Sequence, residues 1–165
     1  MGKIYDELTP KLIEFILQQK LFFVGTAPLS QHGHVNISPK GMDSFRVLDS
    51  QTVAYLDVTG SGVETISHVK ENGRLVFMFC AFDGKPLILR LHGKGSVVES
   101  NHDAFQSLRT HFVDLPGERS IIKLIFSGLL IHVVGTCRCI LSKERVTTTR
   151  TMQKSWDQRV FARAS

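Results

Sequence analysis

The chain has 165 residues, enough for one domain with its own core, and 42% of them are hydrophobic, which excludes a disordered polar chain. Its net charge of +5 is unevenly placed: residues 1–136 hold 13 Lys and Arg against 13 Asp and Glu, and residues 137–165 hold 7 against 2. The most apolar stretch, Ile121–Val134, has 14 residues and contains Lys123 and His132, short of the roughly 20 apolar residues of a bilayer span, so no membrane segment is expected.

The N-terminus, "MGKIYDELTPK", is charged and lacks the apolar core of a secretory signal. Asp6 stands where N-myristoylation asks for Ser or Thr. "TPKLIEFILQQ" reads as a helix, with Thr9 as cap, Pro10 in the first turn, and Leu12, Ile13 and Ile16 on one face. "LFFVGTAP" and "HVNIS" read as a strand hairpin around the turn "LSQHGH". "TVAYLDV" is a further strand with Val53, Tyr55 and Asp57 on one side.

A short helix follows. Ser61 and Glu64 have the spacing of a capping box, Val63, Ile66 and Val69 recur at three-residue intervals, and Asn72-Gly73 supplies a left-handed stop. "RLVFMFCAF", a turn at Asp83–Lys85, and "PLILRLHGKGSVVES", bent at Gly93 and Gly95, read as a strand pair. "NHDAFQSLRTHF" is a helix with Asn101 as cap, and "SIIKLIF" is a last strand. Hairpin-linked strands with few helices predict a mainly β (α+β) fold built on an antiparallel barrel.

The three cysteines, Cys80, Cys137 and Cys139, read as reduced thiols, which together with the missing signal predicts a cytoplasmic protein. No Cys-x-x-Cys pair is present, and His32 and His34 flank a turn glycine, so no metal site is expected. There is no G-x-S-x-G, H-E-x-x-H or Walker loop. With no evident nucleophile, acid or base, any chemistry is expected to come from a cofactor. The basic tail has few aromatics and no reader motif, so nucleic acid is not expected as a partner.

One local feature has two readings. Thr59-Gly60-Ser61-Gly62 precedes the short helix. The unpaired amides of a helix mouth can hold an anion, with Thr59 and Ser61 adding hydroxyls and the glycines permitting close approach. Equally, Ser61 and Glu64 can satisfy one another as a plain cap. Lys40 could be a solvated strand end or a second anion contact. Arg90, flanked by leucines, needs a partner, either a carboxylate such as Asp57 or Glu64 or a ligand.

"FFVGTAPLSQHGHVNISPKGMDSF", "VAYLDVTGSGVETISHVKENGRLVFMFCAF" and "LRLHGKGSVVE" resemble the pyridoxamine 5'-phosphate oxidase-like flavoproteins, in particular their small, poorly characterised branch. The resemblance implies a split β-barrel homodimer binding flavin mononucleotide (FMN) at the subunit interface. It implies phosphate contacts from Lys40 and from the Thr59, Gly60 and Ser61 loop, a contribution from Arg90, and ring contacts near Asn36 to Ser38. It also implies an oxidoreductase acting on a small molecule. The alternatives are a non-enzymatic flavin, haem or deazaflavin carrier, or a degenerate paralogue.

The sequence departs from the oxidase pattern at Val35, where the oxidase has a phosphate arginine, and at Ile88, where it has a flavin-contacting glutamine. The oxidase's C-terminal arginine–histidine motif has no counterpart, so vitamin-precursor oxidation is not implied. After "HVVGT" (His132–Thr136) the likeness stops. The expected division is a flavin-binding split-barrel domain over 1–136 and a divergent basic tail over 137–165, which is disordered, the product of a shifted reading frame, or a genuine basic extension. "KLIFSGLL", before "HVVGT", looks like extra residues between family segments.

Overall fold

The computed structural model describes residues 3–60, 63–84 and 86–132. In chain order they form β1 (Lys3–Tyr5), α1 (Pro10–Gln18), β2 (Phe22–Thr26), β3 (Asn36–Lys40), β4 (Phe45–Val47), β5 (Thr52–Val58), α2 (Val63–Asn72), β6 (Arg74–Cys80), β7 (Ile88–Glu99), α3 (Asp103–Arg109) and β8 (Glu118–His132). The strands build one antiparallel sheet in the order β3-β2-β6-β7-β8-β5-β4, with β1 pairing to β8.

Alternation along each strand sends one set of side chains inward. Phe22 and Val24 of β2, Phe77 and Phe79 of β6, Leu89 and Leu91 of β7, Ile122 and Leu124 of β8, and Val53 and Tyr55 of β5 form one core. The two ends of the sheet curl back onto each other. Phe22 meets the Phe45 ring at 5.0 Å and the Tyr55 ring at 5.7 Å, both edge to face. Among the described residues no ladder crosses that seam, so side chains rather than backbone bonds close the barrel there. The result is a split antiparallel barrel, the mainly β α+β fold that the strand pattern predicts.

The helices cover what the sheet leaves open. Leu12 and Ile16 of α1 enter the main core, and Ile66 and Val69 of α2 do the same. On the other face, α3 lays Phe105 over Ala54, Leu56, Val98 and Ile121.

Several local expectations change. Thr9 stands at the α1 cap position without a side-chain cap bond, and Pro10 occupies the first turn as predicted. Val63 is 54% exposed, so α2 buries Thr65 with Ile66 and Val69 instead. The α3 cap is His102, whose ring Nδ1 accepts from the Ala104 amide at 3.1 Å, not Asn101. Strands β1 and β4, three residues each, carry too short a pattern to be read in advance. β8 runs through the stretch "KLIFSGLL", and Leu124 and Phe126 are buried in the main core.

Candidate functional site

Strand β3 alternates half-buried and exposed residues, placing Asn36, Ser38 and Lys40 on one face and Ile37 and Pro39 on the other. Its register with β2 sets Lys40 opposite Phe22, Ser38 opposite Val24 and Asn36 opposite Thr26. Those β2 residues point into the barrel, so the three polar β3 side chains do too. The strand ends the sheet order, and Pro39 is tolerated there because an edge strand has amides to spare.

Each polar group on that face has a partner. Asn36 Nδ2 donates to the Thr26 hydroxyl at 3.2 Å and to the Thr65 hydroxyl at 2.9 Å, and the Ser38 hydroxyl donates to Asn36 Oδ1 at 3.0 Å. Thr26 also shares a 3.0 Å bond with His68 Nδ1. The network ties β3 and β2 to α2.

The charged part of the site centres on Asp57 at the end of β5, whose side chain is fully buried. Arg119 donates to Asp57 Oδ2 through Nε at 2.8 Å and Nη2 at 2.6 Å. Lys40 Nζ lies 3.5 Å from Asp57 Oδ1. That contact is an ion pair without hydrogen-bond geometry, since Oδ1 has no hydrogen-bond partner among the described residues. Lys40 also stands 5.8 Å over the Tyr55 ring. Burial, and next the negative charge of Asp57, push the Tyr55 phenol well above its ordinary range, so it stays neutral at any physiological pH. Among the described residues, two cations on one carboxylate leave one positive charge uncompensated. Both cations keep part of their side chains in solvent, 19% for Lys40 and 24% for Arg119.

The loop after β5 is open. Thr59 and Gly60 are exposed, and a Cβ at Gly60 would meet nothing within 4 Å. The Thr59 amide donates to the Gly117 carbonyl at 2.6 Å, which brings the start of β8 against this loop. Gly117 has φ +75°, and a Cβ there would lie 2.4 Å from the Thr59 hydroxyl oxygen. Ser61, with its capping-box pairing to Glu64, lies outside the described residues.

Arg90 sits elsewhere. In β7 it faces Met78 of β6, while its neighbours Leu89 and Leu91 enter the core. Its side chain therefore leaves the outer surface of the sheet, on the opposite face from Lys40. Neither Asp57 nor Glu64 is its partner: Arg119 and Lys40 take Asp57. Next to Arg90 on that outer face is His92, held below its ordinary value by burial and then by the Arg90 charge. His92 and Arg74 border an open, largely apolar cavity of about 440 Å³ whose walls include Gly25, Val35, Ile37 and Val76. Val35 and Ile37 are 70% and 67% exposed.

The structure thus puts Asn36, Ser38 and Lys40 on the inner face of β3, joins Lys40 to Asp57, sets Thr59 and Gly60 against the start of β8, and leaves Arg90 across the sheet. The sequence reading missed Arg119. Its only local sign was an arginine two places before an apolar run, and its partner is 62 residues away in the chain. Among the described residues no cluster of three or more His, Cys, Asp or Glu is placed to hold a metal, and no helix is long and apolar enough to cross a membrane.

Residues 8–130 match the family model described as pyridoxamine 5'-phosphate oxidase. The chain is 46% identical over 128 residues to the pyridoxamine 5'-phosphate oxidase family protein ustO of Aspergillus flavus. That match covers 75% of this chain and 51% of the relative, so the chain spans about half the length of the curated relative. Among solved structures, it is similar to the H111A form of HupZ from Group A Streptococcus, with a TM-score of 0.57 and 20% identity over 75% of this chain and 98% of that one. It is similar to a candidate pyridoxamine 5'-phosphate oxidase of Lactobacillus delbrueckii as well, with a TM-score of 0.57 and 17% identity over 76% and 94% of the two chains. At these identities the structural likeness shows the fold alone.

Proposed function

Because this chain belongs to the pyridoxamine 5'-phosphate oxidase family, we propose that it binds FMN and acts, as a homodimer, as a flavin-dependent oxidoreductase on a small molecule. The observation that carries this reading is the Asp57 cluster. A buried carboxylate holds two partly exposed cations, Lys40 and Arg119, whose combined charge exceeds its own by one. A site with that surplus attracts an anion such as the phosphoryl end of the flavin.

In this reading Lys40 holds the phosphoryl group, the Thr59, Gly60 and Ser61 loop adds amides and hydroxyls, and Asn36 and Ser38 keep β3 in place through their bonds to Thr26 and Thr65. Bound flavin would supply hydride or electron exchange. The outer groove, with exposed Val35 and Ile37, is the face we assign to the second protomer. Arg90 stands on that same outer face, so it would reach a flavin only across the dimer interface.

A binding-only reading, in which the barrel carries flavin, haem or a deazaflavin without turnover, has its own support. Asn36, Ser38, Thr26 and His68 are engaged with one another, and the Tyr55 phenol is locked neutral.

The absorbance spectrum of the purified protein, with mass spectrometry of the released ligand, tests both readings. A flavin spectrum bleached by a nicotinamide reductant and restored by an acceptor is the expected result. A flavin that never turns over favours the carrier. Colourless protein that ignores added FMN removes both flavin readings.

A further inference from the structure

The geometry points to Arg119 as the second phosphoryl-binding cation of this site, paired with Lys40 and aimed by Asp57. This deepens the flavin reading and rests on it for the identity of the ligand.

Three observations carry the inference. First, Arg119 is displaced from the face that strand alternation would give it. Ile121, two residues on, packs under α3 with Ala54 and Leu56. A regular strand would send Arg119 the same way. Instead the β5–β8 register shifts between Asp57 and Val58: Asp57 pairs with Ser120 and Val58 with Glu118, which leaves Arg119 as the extra residue of a bulge. A bulge re-aims its side chain, and here the guanidinium arrives on Asp57.

Second, donors remain unspent. Arg119 uses Nε and Nη2 on Asp57, and no bond from Nη1 is made among the described residues. Lys40 touches Asp57 Oδ1 only as an ion pair, so its ammonium protons are free to turn to a ligand. A phosphoryl group has three terminal oxygens, and two cations side by side suit it.

Third, the surrounding charges leave the surplus in place. The acid next in the chain, Glu118, is already bound by Arg109 and the Leu115 amide. The Gly117 carbonyl is taken by the Thr59 amide, so the bulge is pinned against the exposed Thr59–Gly60 turn. Asp57 is then a positioning residue: it orients both cations without offering a donor of its own.

Titration of the full chain with FMN and with riboflavin isolates the phosphoryl contribution, because the two ligands differ only there. Arg119→Gln is expected to weaken FMN roughly 10- to 100-fold, the range of a lost charge-assisted contact, and to change riboflavin affinity by less than about twofold. Arg119→Lys, which keeps the charge and guards against misfolding of the first variant, is expected to recover part of the loss. Equal losses for both flavins in Arg119→Gln would mark a purely structural ion pair and overturn the assignment, as would unchanged FMN affinity. Should wild type bind neither flavin, the flavin reading falls on its own and inorganic phosphate decides the rest. A melting temperature raised by phosphate in wild type but not in Arg119→Gln supports the assignment, and no rise in wild type overturns it.

Discussion

Tyr55 is the largest fully buried side chain of the barrel, and its phenol oxygen lies beside the Thr65 side chain without good hydrogen-bond geometry. Such a group stays desolvated without compensation, at a cost of about 1–3 kcal/mol. Tyr55→Phe keeps the edge-to-face contacts with Phe22 and Phe77 and removes the orphan. It is expected to be neutral or to stabilise by about 1 kcal/mol in urea unfolding; a loss of that size would mean the hydroxyl is bonded. Glu118 behaves in the opposite sense. Its hydrogen bonds from Arg109 hold its carboxyl below the ordinary value of 4.5. The folded state therefore releases this proton more readily than the unfolded one. The stability it contributes is present above the ordinary value and is lost as pH falls through the depressed one. Glu118→Gln is expected to lower stability at neutral pH and to flatten the acid side of the stability–pH curve, read as urea midpoints from about pH 6 to pH 3.

At the scale of elements, the meeting of the β5–α2 loop with the start of β8 decides the site. Gly117 adopts φ +75° and passes so close to Thr59 that no other residue fits. Gly117→Ala adds a left-handed non-glycine residue, worth roughly 1–2 kcal/mol, and a clash on top of it. The expected outcome is lower thermal stability together with weaker FMN binding, because the bulge that aims Arg119 begins two residues later. Retained binding with lost stability would uncouple the turn from the site. The loop between β3 and β4 carries strain of a similar kind: Met42 and Asp43 both have positive φ, in a turn closed by the Ser44 amide on the Gly41 carbonyl at 3.2 Å. This turn immediately follows Lys40. Asp43 is anchored by Arg46, whose guanidinium also reaches the His111 carbonyl.

At the scale of the molecule, rings rather than a ladder close the barrel among the described residues. Phe22 touches Phe45, Tyr55, Phe77 and Phe79, so it spans the seam between β2 and the β4–β5 pair. Phe22→Ala is expected to cost about 3–5 kcal/mol in unfolding experiments, with the seam, and hence Lys40 beside Asp57, loosening first. Residues 137–165, read in the sequence as a divergent tail, lie outside the described residues, and we propose that they are not needed for the ligand site. A chain ending at Thr136 is expected to bind FMN with the affinity of the full chain. A loss of binding would instead make the tail part of the site.

Much of the architecture was legible because it is written in local pattern. Alternation in "TVAYLDV" placed Tyr55 and Asp57 together, Asn72-Gly73 ended α2 at a glycine with φ +70°, and the Gly93 bend appears as a register shift in β7. Elements of three residues, the exposure of Val63 and the His102 cap were not legible, because each depends on what packs nearby.

The sequence by itself determined the order of the longer elements along the chain, the inward side of β5 and the family, since all three are carried by neighbours two to four residues apart and by motifs. Only the tertiary structure decided which charges meet. It assigned Asp57 to Arg119 and Lys40 and put Arg90 on the far side of the sheet. The reason is physical: an ion pair between residues 62 apart depends on sheet closure and on a one-residue bulge, and neither leaves a periodic mark in the chain.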